Sequence, residues 1–383
     1  MRRRVRAWLE ETHGAVFELT RHFLLGLFDN EAASAPGEWV KTALGTLAVL
    51  LSSGILGLTV YWDRYEQLWS RGTPALFRGA MREDELSLIA ICMGVTALLT
   101  ILQWQSLFPN RRDCLAFGGW PVTAGEIFRA KFFSLLLVFM SFLLAATVIP
   151  SVLFSMVTSF PWRPNPSMAA NAAANFTAAA GGCIFAFFSL LALQGILLNL
   201  LPVRAFARVS LFAQGVLFIG VLGALPLMDR WPAEAAWFPT AWFLALWESK
   251  LQGSPAGRAA ILAMTAPIAV TVVTYALSYQ RYRRLMVEGG TAHGAPRPEG
   301  HGAMFSGEWL LERWIGDPRE LAVFTFIWKT LVRSRSHRLI LLAYAGFGLG
   351  CITKGALDTP RPTLHERPSF RAPPTGQLSQ PTP

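Results

Sequence analysis

Long apolar runs, interrupted by short polar segments, dominate the chain. Six stretches contain no Asp, Glu, Lys or Arg, namely residues 42–62, 86–110, 132–162, 164–203, 209–228 and 259–280. A helix needs about 20 residues to cross a hydrocarbon layer about 30 Å thick, and each stretch is long enough. A shorter charge-free run, from Leu339 to Thr353, marks a seventh candidate. The pattern predicts an all-α, polytopic membrane protein with six to seven transmembrane helices.

The composition agrees with this prediction. Mean hydropathy is +0.39, and 53% of the residues are apolar while only 15% are charged, a balance typical of membrane proteins. The four cysteines, Cys92, Cys114, Cys183 and Cys351, are scattered and include no C-x-x-C pair. We therefore interpret them as small core residues, and we expect no metal site.

Cations are distributed unequally between alternate connections. If the N-terminus is cytoplasmic, the inner segments carry 21 Lys and Arg residues, and the outer loops, the first of which is residues 63–85, carry 8. This asymmetry follows the positive-inside rule and predicts a multi-pass protein of the cytoplasmic membrane with its N-terminus in the cytoplasm. The net charge of +10 then reflects anchoring to anionic membrane lipids, and we expect no nucleic-acid partner.

Two segments outside the long runs have helical character. Residues 5–28 place apolar side chains at helical spacing, which predicts an amphipathic helix that lies on the membrane or packs as an ordinary soluble helix. Residues 229–253 concentrate tryptophan, as at membrane boundaries. Because Pro239 suits the first turn of a helix, we predict a short outer interfacial helix shaped by Trp237, Pro239, Trp242 and Trp247. A plain aromatic belt is the alternative.

The chain divides into four parts. Residues 1–285 form the predicted six-span domain, and residues 286–307, rich in Gly, Pro and His, form a linker. Residues 308–357 predict another surface helix followed by the short seventh span, an order that echoes the N-terminus and suggests the start of a second repeat. Residues 358–383 contain many prolines, and we expect them to be disordered.

The six charge-free stretches offer little chemistry. Their polar side chains are either helix-to-helix contacts or the lining of a path. Besides hydroxyl groups, they include Gln103, Gln105, Asn171, Asn175, Gln194, Asn199 and Gln214. Ion-coupled carriers place carboxylates or histidines at membrane depth, so this sequence argues against one. The chain has no G-x-x-x-x-G-K-[ST], H-E-x-x-H or G-x-S-x-G motif, and its histidines are isolated. We expect no enzymatic activity and no cofactor.

The segment FPNRRDCLAFGGWPVTAGEIFRAK, residues 108–131, separates the second and third apolar stretches. Thr123 and Glu126 have the spacing of a capping box, in which each side chain bonds to the other residue's backbone N–H. The cap predicts a helix that continues without a breaker into the third span and acts as a lever. Arg111 and Arg112 precede it and suit either the carboxylates of a docked protein or lipid headgroups.

The motif WPVTAGEIFRAKF, residues 120–132, resembles the corresponding cytoplasmic segment in the permease subunit of type-2 ATP-binding-cassette exporters. The order of elements is also similar: an amphipathic helix, six spans, and a short outer helix between the last two. The resemblance implies a coupling helix that contacts a separate ATPase subunit through Arg111, Arg112, Pro121, Thr123, Glu126 and Arg129. It also implies a second permease half and transport driven by the partner's ATP hydrolysis.

The sequence leaves an alternative open. The segment 305–353 and the proline-rich tail depart from the family pattern, and the cargo is not encoded in any motif. A membrane scaffold that transports nothing, and recruits partners through its basic segments, is also consistent with the same residues.

Overall fold

The computed structural model describes residues 14–24, 26, 61–68, 70, 74–108, 122–159, 167–230, 238–252, 257–289, 319–320, 323–327 and 335–358. The regular elements in these ranges are helical. We label the main helices α1 (14–24), α2 (61–68), α3 (Pro74–Leu102), α4 (Ala124–Ser159), α5 (Met168–Leu200), α6 (Val203–Ala224), α7 (Pro239–Gln252), α8 (Arg258–Gly289) and α9 (Arg335–Asp358). Short 3-10 turns follow α3 and α6, at Trp104–Ser106 and Leu225–Arg230.

Six of these helices are long and apolar enough to cross a membrane: α3, α4, α5, α6, α8 and α9. The protein is therefore a polytopic helical membrane protein, as predicted. The short seventh candidate is confirmed as a helix and is longer than its charge-free run, since α9 has 24 residues. The first predicted span, 42–62, lies outside the described residues except at its last two positions.

Helix α5 occupies the centre of the bundle, between α3, α4, α7 and α8. Its interior face consists largely of small residues, including Ala178, Ala179 and Gly182, all of which are buried. A Cβ atom at Gly195 would lie 2.4 Å from Oγ1 of Thr274 on α8. Small side chains thus allow the backbones to approach closely, which is how membrane helices gain packing contacts without a hydrophobic driving force.

The helices define two ends of the bundle. The segment that follows α3, the start of α4 and the C-terminal half of α8 meet through Phe108, Phe128 and Tyr275, and we call this the elbow end. At the opposite end, α7 contacts the start of α5 and the N-terminal half of α3 through the pairs Trp247–Asn175 and Arg82–Glu248. We call this the α7 end. The charge pattern assigns the polar connections of the chain alternately to the two sides of the membrane. The connections found at the elbow end are those assigned to one side, and the connections found at the α7 end are those assigned to the other.

Helices α6 and α9 run parallel and approach at glycines. Gly346 lies against Ile219, and a Cβ atom at Gly350 would lie 2.4 Å from the carbonyl oxygen of Gly223. Gly346 and Gly350 form a G-x-x-x-G pair, a spacing that places both glycines on one helix face. The remainder of α9 is largely exposed.

Helix α3 differs from its prediction at both ends. Residues 63–85 were expected to form an external loop, but Pro74 already begins the helix, so Asp84 and Glu85 lie within a candidate span. The charge-free criterion failed because Arg82, Glu83 and Asp84 form ion pairs with other segments, while Glu85 is buried in the bundle without a partner. At the other end the helix stops at Leu102, whereas the apolar stretch continues to residue 110. There the Ser106 hydroxyl donates to the carbonyl oxygen of Gln103, a bond that competes with helical hydrogen bonding.

Side chains from other helices donate hydrogen bonds to the carbonyl groups at the end of α3 and in the turn that follows it. The Nε2 atom of Gln214 donates to the carbonyl oxygen of Ile101 at 2.8 Å, and that of Gln194 donates to Trp104 at 2.6 Å. The Tyr275 hydroxyl donates to Leu107 at 3.2 Å. The last carbonyls of a helix have no partner within it, and lipid supplies none, so these bonds hold the helix end in place.

Candidate functional site

The start of α4 carries the predicted capping box. The backbone N–H of Thr123 donates to a carboxylate oxygen of Glu126 at 2.7 Å, and the Glu126 N–H donates to the Thr123 hydroxyl oxygen at 3.3 Å. The Thr123 hydroxyl also donates to the same carboxylate at 2.9 Å. These reciprocal bonds satisfy donors that would otherwise lack partners, and they fix where the helix begins.

Helix α1 packs directly on this start. Leu19 and Phe23 of α1 form a buried cluster with Ile127 and Ala130 of α4. The ammonium group of Lys131 lies 4.5 Å from the centre of the Phe23 ring, in cation–π geometry. The amphipathic N-terminal segment is therefore helical where it is described, and its apolar face contacts α4.

The opposite face of the same turns packs on the C-terminal half of α8. Phe128 contacts the rings of Tyr275 and Tyr279 edge-on, at 5.8 and 5.7 Å between ring centres. Gly125 lies beneath the Tyr279 side chain. The first two turns of α4 are thus held between α1 and α8, and we call this arrangement the elbow.

The remaining residues predicted for the coupling helix are placed as follows. Arg129 is exposed, and its Nε atom donates to the carbonyl oxygen of Gly125 at 3.3 Å. Thr123 is exposed as well. Arg111, Arg112 and Pro121 lie outside the described residues. The exposed residues of the elbow leave its outer surface accessible to another molecule, and their contact with an ATPase stays a prediction.

The predicted outer helix is α7, which begins at Pro239. Phe243 and Trp247 are buried in the bundle, and Trp242 packs edge-on against Phe185 of α5. The helix therefore inserts its aromatic face among α3, α5 and α8 rather than forming a plain aromatic belt. Trp237 lies outside the described residues.

A relay of hydrogen bonds links α7 to α4 through α5. The indole N–H of Trp247 donates to Oδ1 of Asn175 at 2.5 Å, and the Asn175 amide donates to the Ser155 hydroxyl at 2.7 Å. One turn away, the Asn171 amide donates to Thr158 at 2.9 Å. These asparagines, like Gln194 and Gln214, are helix-to-helix contacts, which favours the first of the two interpretations that the sequence left open.

Ion pairs at the α7 end were missed by the sequence argument. Arg82 of α3 donates to Glu248 of α7 at 2.7 Å, and Arg64 of α2 pairs with both Asp84 and Glu83. Burial and the neighbouring Asp84 carboxylate raise the pKa of Tyr65 on α2, so its hydroxyl keeps its proton. The apolar residues Phe77, Met81, Leu88 and Cys92 recur at helical spacing across the charged turn, a signal that could have revealed the longer helix.

Within the described ranges, no three His, Cys, Asp or Glu side chains are grouped so that they could hold a metal ion. No protein-family model, curated protein or solved structure matches the chain.

Proposed function

We propose that this protein is the membrane-spanning permease subunit of an ATP-driven exporter, working with a separate ATPase subunit. The observation that carries the proposal is helix α4. It has 36 residues and is therefore about 54 Å long, whereas the hydrocarbon layer is about 30 Å thick. In this proposal α4 projects from the membrane at its capped end, which carries the charged residues Glu126, Arg129 and Lys131.

The elbow makes this projection a suitable lever. The capping box fixes the first turn, while α1 and α8 hold it from two sides. In this proposal a force applied at Thr123 moves α4 and the C-terminal half of α8 together, because the two helices pack on each other at the elbow. In this proposal the exposed surface at Thr123 and Arg129 contacts the ATPase.

The remaining parts of the proposal follow from charge and from what the sequence lacks. The elbow end faces the cytoplasm, because the segments assigned to that side carry most of the cations. No phosphate-binding loop occurs in the sequence, so the energy comes from the partner. A second permease half completes the path, and membrane lipids surround the exposed apolar faces of α8 and α9.

Copurification from native membranes in a mild detergent tests the partner. The tagged protein should recover a phosphate-loop ATPase, and the purified chain alone should hydrolyse no ATP. A cysteine at Thr123, in a background lacking Cys114 and Cys351, should cross-link to that ATPase through a short bifunctional maleimide. Lys250→Cys, exposed at the α7 end, is the matched control and should not cross-link.

The same two variants test orientation. A membrane-impermeant maleimide should label Thr123→Cys only in inside-out vesicles and Lys250→Cys only in right-side-out vesicles. Recovery of no ATPase, with both cysteines labelled as expected, would favour the non-transporting scaffold. If the two cysteines were labelled in the opposite vesicles, the cytoplasmic location of the elbow would be refuted.

A further inference from the structure

Glu85 is an unusual carboxylate. It lies on α3 within the candidate span Ala75–Leu102, and its exposed fraction is 0%. Neither of its carboxylate oxygens accepts a hydrogen bond. The neighbouring acidic residues differ from it, because Glu83 and Asp84 pair with Arg64, and Glu248 pairs with Arg82.

Among the residues that the structure describes, no cation pairs with Glu85. Tyr61 of α2 lies near Glu85. Cys92 lies about two turns further along α3, with Cys183 of α5 beside it. Helix α4 carries no charged residue beyond Lys131, and its Ser151 hydroxyl is buried and makes no hydrogen bond. The nearest cations, Arg64 and Arg82, already face Asp84 and Glu248.

A lone ionised carboxylate is very costly in an apolar interior unless a proton or another cation neutralises it. Calcium and magnesium ions require six or more oxygen ligands, whereas Glu85 stands apart from any group of three acidic, His or Cys side chains in the described part of the chain. A proton needs a single carboxylate oxygen. The single carboxylate of Glu85 therefore suits a proton rather than a calcium or magnesium ion.

Access to this carboxylate is limited on the α7 side. Arg82 precedes Glu85 by about one turn of α3, and Asp84 is its immediate neighbour in the sequence. The ion pairs of Arg82 and Asp84 connect α3 with α7 and with α2. The side chains of Arg82 and Arg64 are 38% and 44% exposed, so solvent reaches the ion pairs but not Glu85. If α3 separated from α7 and α2, solvent would reach Glu85 over a distance of about one helical turn.

We infer that Glu85 is a proton-binding site inside the membrane domain, with the Arg82–Glu248 and Arg64–Asp84 ion pairs closing it from the α7 end. Binding is a simple association in which the carboxylate takes up one proton and no other bond changes. The inference does not depend on the proposed function, since it holds for a permease and for a scaffold alike. An ionisable residue at membrane depth is commonly functional, and here the function is the binding of a proton.

Infrared difference spectroscopy of the full-length protein at neutral pH tests the site directly. Wild type minus Glu85→Gln should show the C=O stretch of a protonated carboxylic acid, and wild type minus Glu248→Gln should not show it. Absence of this band in the first difference spectrum would mean that Glu85 is ionised and would overturn the inference. If adding sodium chloride at constant pH abolishes the band, the site binds a metal cation instead, and the proton site is refuted.

A second measurement covers the case in which Glu85→Gln does not fold. A hydrophobic carbodiimide adds to a protonated carboxyl group in an apolar site and rearranges to a stable N-acylurea without a leaving group. Mass spectrometry of the labelled wild-type protein should find the adduct on Glu85 and not on Asp84 or Glu248. A labelled protein whose adducts lie only on other residues would contradict the inference.

The closure is tested by hydrogen exchange at the same band. Arg82→Gln removes the pairing with Glu248 and should accelerate the shift of the C=O band in D2O several-fold, because a partly exposed ion pair contributes about 1 kcal/mol or less. Arg21→Gln breaks a comparable pair with Glu18 at the elbow end and should leave the rate unchanged. Equal rates in the two variants would refute the closing role of the ion pairs.

Discussion

The thiol of Cys92 on α3 donates a hydrogen bond to the carbonyl oxygen of Ala146 on α4, at 3.4 Å between sulfur and oxygen. This carbonyl lies four residues before Pro150, which is inside the helix. Proline has no backbone N–H, so it leaves the carbonyl at that position without its usual partner. Cys92 thus repairs, from a neighbouring helix, the gap that Pro150 makes in α4.

We expect Cys92→Ala to lower the free energy of unfolding by about 1 kcal/mol, near the lower limit for a buried group left unsatisfied, because a thiol is a weak donor. Cys92→Ser, which keeps a donor, should cost less. In a Pro150→Ala background the new backbone N–H satisfies Ala146, so the cost of Cys92→Ala should largely vanish. Thermal unfolding midpoints in detergent, arranged as a double-mutant cycle, measure the coupling, and additive effects would contradict the repair.

The capping box gives a prediction that separates folding from coupling. Thr123→Ala with Glu126→Ala removes the bonds at the start of α4 and should cost about 1 to 2 kcal/mol. The protein should still insert into membranes. With the ATPase partner bound, the double variant should lose the transport that depends on ATP hydrolysis. Thr123→Ser is the control, and normal transport by the double variant would count against the lever.

The α6–α9 contact predicts a sharp difference between glycines of one helix. Gly350→Ala would place a methyl group 2.4 Å from the Gly223 carbonyl oxygen, whereas nothing lies within 4 Å of the same atom at Gly348. Because backbone cannot yield as a side chain can, Gly350→Ala should cost about 1 to 3 kcal/mol. Gly348→Ala should be neutral or slightly stabilising. Limited proteolysis and thermal unfolding compare the two variants, and equal behaviour would exclude the close approach.

A single substitution at Asn175 breaks the relay of hydrogen bonds at the α7 end. Asn175→Leu leaves the indole N–H of Trp247 without its acceptor in a buried site, and a donor in that state costs about 1 to 3 kcal/mol. Trp247→Phe removes this N–H, so the penalty of Asn175→Leu should be smaller in that background. Thermal unfolding of the four proteins in the cycle gives the coupling. If both backgrounds show the same loss, the hydrogen bond contributes nothing.

Some of the fold could be predicted because it depends on local patterns. The helical spans at 132–162, 164–203, 209–228 and 259–280 follow from apolar length alone, since lipid requires each spanning backbone to satisfy its own hydrogen bonds. The capping box could be predicted for a similar reason, because its bonds join residues three positions apart.

Helix α3 could not be predicted in the same way. A charge at residue 85 ends an apolar run, and nothing adjacent in the sequence indicates that Arg82 will meet Glu248, which is 166 residues away. The end of the helix also depends on distant residues, since Gln194 and Gln214 bind the carbonyls that it exposes. Asp84 and Glu85 were consequently assigned to a loop.

By itself the sequence determined the membrane class, most of the spans and the capped start of α4, because apolar length and short-range hydrogen bonds act within a few residues. Only the tertiary structure decided that α7 inserts its aromatic face into the bundle, that α6 and α9 meet at glycines, and that Glu85 is buried without a partner. These features depend on which helices become neighbours, and packing between distant segments, rather than local pattern, sets that choice.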